Sequence, residues 1–139
     1  MARIEAKYRT SVTVSGGRMG RAVSNDGVLD VQLRTPKLNG VADGTNPEQL
    51  FGAAWGACLQ SALGAVARSE GVDVAGSTVK VEIGQGPDES GGYGLSARIG
   101  ISIPGVDRET GERLVAGAHA ICPYSKATRG NIDAEVTLV

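Results

Sequence analysis

The chain reads as an α+β protein with its elements in the order βββ-α-ββ-α-β, and three observations predict this. Segments that alternate apolar and polar residues come in groups of three, two and one along the chain. Two helical stretches separate the groups, one apolar on every face and one amphipathic. Strands that come in runs argue against a doubly wound parallel sheet, which needs strict β-α alternation. The length of 139 residues suits a single domain, 1–139, able to bury roughly two-thirds of its unfolded surface without a metal or disulfide staple.

Each element has its own signal. Arg3 to Val14 alternates through Ile4, Ala6, Tyr8, Val12 and Val14 and stops at Gly16-Gly17, which predicts a first strand. Arg21–Ser24 and Val28–Leu33 are two more, joined by Asn25-Asp26-Gly27, a tight-turn signal that completes an antiparallel meander. Thr35 to Thr45 holds Pro36, Asn39-Gly40 and Asp43-Gly44 and no apolar period, so a movable loop is expected. The first helix starts with Asn46 as N-cap, Pro47 in the first position, Glu48 at the positive dipole end and Gln49 at the capping-box position. It runs to about Arg68, with Gly71 to stop it. No charge falls between Leu50 and Leu59, which predicts a buried central spine. Thr78–Ile83 and Tyr93–Ile103 form a hairpin through Gly86-Pro87…Gly91-Gly92, ended by Pro104-Gly105. Asp107 caps a second helix carrying Leu114, Val115, Ala118 and Ile121 until Pro123 obstructs it, leaving Cys122 at the exit. Ile132–Val139 closes the chain as a strand.

Composition excludes several classes of function. Hydrophobic residues at 41% and charged residues at 21% belong to a soluble globular chain. A net charge of -1 provides no field to gather nucleic acid or anionic lipid, so neither nucleic acid nor membrane is an expected partner. Two cysteines and one histidine cannot make a Cys/His zinc site, and no metal is expected. With no signal-peptide h-region and no 18-residue apolar run, a cytoplasmic location is expected, where thiols are kept reduced.

Three glycine or serine motifs fail on context. Gly92-Tyr93-Gly94-Leu95-Ser96-Ala97 fits the dinucleotide fingerprint but leads into a strand, whereas a pyrophosphate needs a helix N-terminus. Ser77-Thr78-Val79-Lys80 spells S-x-x-K on a strand, without the companion signatures of penicillin-recognising enzymes. Gly16 to Arg21 is a basic glycine turn lacking the Lys-Ser/Thr of a phosphate loop, so arginine must meet any anion there.

The two cysteines admit two readings. Cys58, in an apolar helix, suits a small core hydrophobe as well as it suits a reactive thiol. Cys122, in Cys-Pro-Tyr at a helix end, is an odd place for packing alone. The wider wording shifts the balance. Thr45-Asn46-Pro47-Glu48-Gln49-Leu50-Phe51, Ala57-Cys58, Ile121-Cys122-Pro123-Tyr124-Ser125 and Ala127-Thr128-Arg129-Gly130-Asn131-Ile132, with Gly16-Gly17-Arg18…Gly20-Arg21-Ala22-Val23-Ser24 and Gly27-Val28-Leu29-Asp30, together resemble the organic hydroperoxide resistance proteins. These belong to the superfamily of osmotically inducible protein C.

The resemblance covers nearly the whole chain and implies an intertwined homodimer with the fold of that superfamily, antiparallel sheets wrapped around two central helices. It also implies a thiol peroxidase that reduces organic hydroperoxides to alcohols without a bound cofactor. By the matching motifs, Cys58 is the peroxidatic thiol, Cys122 the resolving one, and Arg18 with Glu48 the charged pair at the reacting sulfur. The implied reductant is a lipoyl-bearing protein. Phe51, Trp55, Leu59, Ile121 and Tyr124 stand near the cysteines in sequence, as lining of an apolar mouth or simply as core.

Elementary chemistry agrees in part. Desolvation disfavours a thiolate in an apolar helix interior, and Cys58 lies too far from the helix N-terminus for the dipole to help. A guanidinium about 4 Å from a thiolate, at an effective dielectric near 20, contributes on the order of 4 kcal/mol. Arg18 on its glycine turn is suited to that task, its paired N–H donors also meeting the departing alkoxide, with Glu48 to orient it. Glu48 and Cys58 are about 15 Å apart along a straight helix, which predicts a site drawing on both subunits. The chain departs from the usual family wording at Met19, Lys126, Trp55 and Leu59, none of which removes a catalytic group. His119, one turn before Cys122, reads as structural.

Overall fold

Three short strands organise the first of two units, Met1–Pro47 and Glu48–Val139, into which the chain divides. The computed structural model describes residues 2–37 and 40–139, so Asn39 of the expected Asn39-Gly40 turn lies outside the described residues. β1 (Val12–Ser15), β2 (Arg21–Ser24) and β3 (Asp30–Gln32) form an antiparallel sheet in that order, the meander expected. Ala22 faces Val14 on one side and Val31 on the other, and it is buried. At the β2–β3 connection Gly27 takes a φ of 74° and donates its N–H to the Ser24 carbonyl, while the Asp26 carboxylate accepts from the Val28 N–H. An Asp-Gly pair makes this turn because only glycine holds positive φ without cost.

The expected first strand is too long. Residues 2–11 have no regular structure, and Ile4 and Tyr8 are 86% and 78% exposed. Alternation makes a strand only where a ladder and an apolar layer receive it, and in this unit β2 pairs with no more than Val12–Ser15. The described residues between β3 and Thr45 form no regular helix or strand, which agrees with the loop expected there. It is tied where Leu33 bridges Thr45, with the Arg34 N–H donating to the Thr45 carbonyl and the Thr45 N–H to Gln32.

In the second unit, α1 (Pro47–Glu70) starts at the proline and ends before Gly71, whose φ is 68°. Trp55, Leu59, Leu63 and Ala67 bury one face of it, but Ala53, Ala57 and Ala65 on another are exposed, so within this chain the spine is not enclosed on all sides. By length and composition alone α1 would also suffice to cross a membrane, contrary to the expectation of no such run. Its buried tryptophan and leucines give it the role of a core helix instead.

β4 (Thr78–Pro87) and β5 (Tyr93–Ser102) make the expected hairpin, closed over Asp88–Gly92. The closing strand β6 (Asp133–Leu138) lies beside β5 but runs parallel to it, giving a mixed sheet ordered β4-β5-β6 where antiparallel pairing was expected. The direction follows from what lies between: a helical crossover, unlike a tight hairpin, lets the chain return parallel. That crossover begins with α2 (Arg108–Ile121), capped by the Asp107 carboxylate accepting from the Thr110 N–H at 3.0 Å. Gly111 admits β6 closely; a Cβ there would stand 2.9 Å from the Leu138 side chain.

A third helix was not foreseen. Pro123 disfavours helical backbone at the residue before it, and Cys122 is extended at φ -61°, ψ 125°. The same proline then opens α3 (Pro123–Thr128) from its first position, where a missing N–H costs nothing. The order is therefore βββ-α-ββ-α-α-β.

Candidate active site

Both thiols belong to the core of the second unit. Cys58 packs against that core from α1 and is half-buried; Cys122 lies inside it with no exposed surface. Cys122 is thus secluded even though it stands at a helix end. α3 folds the chain inward just after it, and the Cys122 carbonyl accepts the Lys126 N–H at 2.9 Å. The two sulfurs are free thiols, one at the edge of the core and one within.

One buried hydrogen bond links the two cysteine-bearing segments. The indole Nε1–H of Trp55 donates to Ser125 Oγ at 3.1 Å, and both side chains are fully buried. Trp55 precedes Cys58 by three residues on α1, and Ser125 follows Cys122 by three, so each partner is about one helical turn from a thiol. Phe51 packs against Trp55, ring centroids 5.6 Å apart and planes at 57°. Ser125 was missed from sequence. The usable signal was a tryptophan in an apolar helix, because a buried indole N–H needs an acceptor.

The five apolar candidates divide. Trp55 and Leu59 have no exposed surface and are core side chains in this chain, unavailable to line a mouth. Phe51 and Tyr124 are half-buried against the same core, and Ile121 is 52% exposed. The structure thus gathers Phe51, Trp55, Cys58, Leu59, Cys122 and Tyr124 into one cluster. Glu48 stands elsewhere on α1, at one end of an open hollow of about 530 Å³ between that helix and β4, with Gly52, Gly56, Gln60 and Val81.

In the first unit, Arg18 is the middle residue of a single 3₁₀ turn, Gly17–Met19. Gly16 and Gly17 take φ of 75° and 58°, and a Cβ on Gly20 would lie 1.6 Å from the Ser15 carbonyl oxygen. Only a glycine at each end lets the chain cross itself this tightly. Sequence reasoning also missed Arg34, whose Nη1 donates to the carbonyls of Met19, Gly20 and Leu33 at 3.1, 3.1 and 2.6 Å and fastens the turn to the segment that follows β3.

His119 lies on α2 with its carbonyl accepting from Arg129 Nη2 at 2.7 Å, while its Nδ1 is buried without a hydrogen-bond partner. Burial, and to a lesser extent the Arg129 charge, hold the imidazole below its ordinary pKa.

Two free thiols at the core of an α+β fold with a mixed sheet define a class of small two-cysteine protein, and comparison with known proteins gives its membership. A family model described as OsmC-like protein matches residues 40–137. The organic hydroperoxide resistance protein of Xanthomonas axonopodis pv. citri (strain 306) is 47% identical over 136 residues, 94% of each chain. The crystal structure of OhrB from Bacillus subtilis, 40% identical, superposes with a TM-score of 0.90 over 96% of this chain and 100% of that one. An organic hydroperoxide resistance protein from Elizabethkingia anophelis, 42% identical, gives 0.89 over 97% and 98%. The chain belongs to the organic hydroperoxide resistance group of the OsmC-like family.

Proposed function

We propose that this protein confers resistance to organic hydroperoxides as a cysteine-based peroxidase, with Cys58 as attacking thiol and Cys122 as resolving thiol. The observation that carries the reading is the pair of free thiols in one core, Cys58 at its edge and Cys122 inside it. The Cys58 thiolate attacks the peroxide oxygen remote from the organic group. The O–O bond breaks, the alkoxide takes a proton and leaves as alcohol, and Cys58 becomes a sulfenic acid. The Cys122 thiolate then attacks that sulfur, forming the disulfide and releasing hydroxide, which is protonated to water. A dithiol, that of a lipoyl group, reduces the disulfide by exchange and is itself oxidised. No bound cofactor enters the cycle.

Arg18 meets the reacting sulfur and the developing alkoxide, and Glu48 orients it; these two roles rest on motif resemblance. Cys58 and Glu48 share one continuous helix, about 15 Å apart along its axis, which supports a homodimer whose site draws on both subunits. Phe51, Ile121 and Tyr124, the candidates that retain exposed surface, form the apolar mouth for an alkyl or fatty-acid hydroperoxide. The whole chain acts as one domain in the cytoplasm.

The test is reduction of cumene hydroperoxide against hydrogen peroxide, with dihydrolipoamide as reductant, for wild type and Cys58→Ser. Turnover that favours the organic peroxide and vanishes in the variant is the expected result. Consumption of a single equivalent, or none, would replace the enzyme with a thiol redox sensor or a noncatalytic binding module of the same fold.

A further inference from the structure

The step that closes the disulfide demands a particular approach of one sulfur to the other, since bridged cysteines have Cα atoms no more than about 7 Å apart and a narrow range of torsions. Cys122 sits between α2 and α3, on extended backbone at the one residue the two helices share as cap. Its placement therefore depends on how α3 is held. A helix of six residues has little stability of its own. Within α3, the Thr128 hydroxyl donates to the Tyr124 and Ser125 carbonyls, which stiffens the turn without fixing it to anything else.

Beside core packing, α3 is tied to α1 by the bond from Trp55 Nε1–H to Ser125 Oγ. Both side chains are buried, so no water replaces the acceptor if α3 shifts by one residue, and the indole N–H is left unsatisfied. The alternatives are thus discrete: α3 docks in this register, or a buried donor is orphaned. Phe51, stacked at a tilt on Trp55, limits how far the indole can turn to follow a displaced acceptor.

We infer that Trp55 and Ser125 are positioning residues whose buried hydrogen bond locks the register of α3 on α1 and so holds Cys122 ready to attack oxidised Cys58. The inference rests on the peroxidase reading above and deepens it. Neither residue touches substrate. The lock acts on resolution alone: sulfenic acid formation needs Cys58 and the peroxide, whereas disulfide formation needs the register. A slow second step exposes the sulfenic acid to a second peroxide, which oxidises it to sulfinic acid and is itself reduced to alcohol.

The experiment uses the full chain, reduced and then mixed with cumene hydroperoxide. Peroxide consumption is followed in the first turnover, and quenched intact-mass spectra count sulfenic acid, disulfide and sulfinic acid. Ser125→Ala should consume its first equivalent at the wild-type rate but form disulfide roughly tenfold more slowly, with sulfinic acid prevailing at high peroxide. Ser125→Thr, which keeps the hydroxyl, should restore the disulfide. Trp55→Phe should show the same defect in disulfide formation, and the double variant should be no worse than either single one.

Wild-type rates of disulfide formation in Ser125→Ala and Trp55→Phe would overturn the inference while leaving the peroxidase intact. A defect that Ser125→Thr fails to rescue, and that tracks lost thermal stability through both steps, would overturn it too. If Ser125→Ala does not fold, Trp55→Phe decides by the same readout. A wild type that consumes no peroxide sinks the peroxidase reading first, and the inference with it.

Discussion

Around Arg18 the chain is held by backbone hydrogen bonds, two positive-φ glycines and the fork of Arg34, and no residue of the turn is buried. Around Cys58 and Cys122 the chain is held by packing, in a cluster that includes Trp55, Leu59, Leu63 and Leu114, each without exposed surface. The difference teaches how one small chain fixes two kinds of group. A long charged side chain needs solvent and a stiff base, which a glycine turn provides with few residues. A thiol is small and apolar, and its direction is set by the side chains filling the space around it. Damage to the core of the packed region should therefore register first in stability, and damage to the turn in activity as well as stability.

The largest effect on folding is expected in the packed region. Leu63→Ala removes a fully buried side chain of α1 and should lower unfolding free energy by about 2–5 kcal/mol, read from urea denaturation. A loss below about 1 kcal/mol would mean that the core relaxes and the contrast is false.

In the turn, Gly16→Ala forces a side chain onto a φ of 75° and brings its Cβ within 2.9 Å of Gly20 Cα. That should cost about 1–3 kcal/mol of stability. Displacement of Arg18 should cut turnover with cumene hydroperoxide by roughly tenfold or more under conditions where the variant remains folded. If turnover and stability fall together, with no activity loss in the folded variant, Arg18 is not held by its turn in the way the geometry implies.

The smallest effect concerns His119. Its pKa is lowered in the folded state, so the unfolded chain takes up a proton first as pH falls through the ordinary value of 6.5. The stability it contributes is complete above that value, declines as the pH drops below it, and levels off once the folded form is protonated as well. Thermal midpoints of wild type should fall between pH 7.5 and 5.5, and His119→Gln should flatten that slope. Identical slopes would remove His119 from the account.

Much of both regions was legible beforehand. The Asn25-Asp26-Gly27 turn, the proline start and glycine stop of α1, the Asp107 cap and the hairpin at Asp88–Gly92 each rest on local backbone chemistry, which neighbours in sequence decide. Misreadings arose where distant partners decide. Alternation over Arg3–Tyr8 lacked a ladder, the parallel direction of β6 depended on the crossover before it, and Pro123 served as the start of α3 as well as the end of α2. The two cysteines stood out in the motif wording, whereas the hydrogen bonds of Ser125 and Arg34 could not be read there, because they reach to residues 70 and 14–15 positions away.

The amino-acid sequence by itself determined the α+β class, the start and stop of α1, the cap of α2, the Asp26-Gly27 turn and the two thiols, because these follow from periodicity, caps, turn residues and a small set of reactive groups. Only the tertiary structure decided that Cys122 is shut inside the core while Cys58 keeps an edge, that Trp55 and Leu59 are core, and that Trp55 answers to Ser125. Burial and long-range hydrogen bonds are properties of what packs against a residue, and the packing exists only once segments far apart in sequence have met.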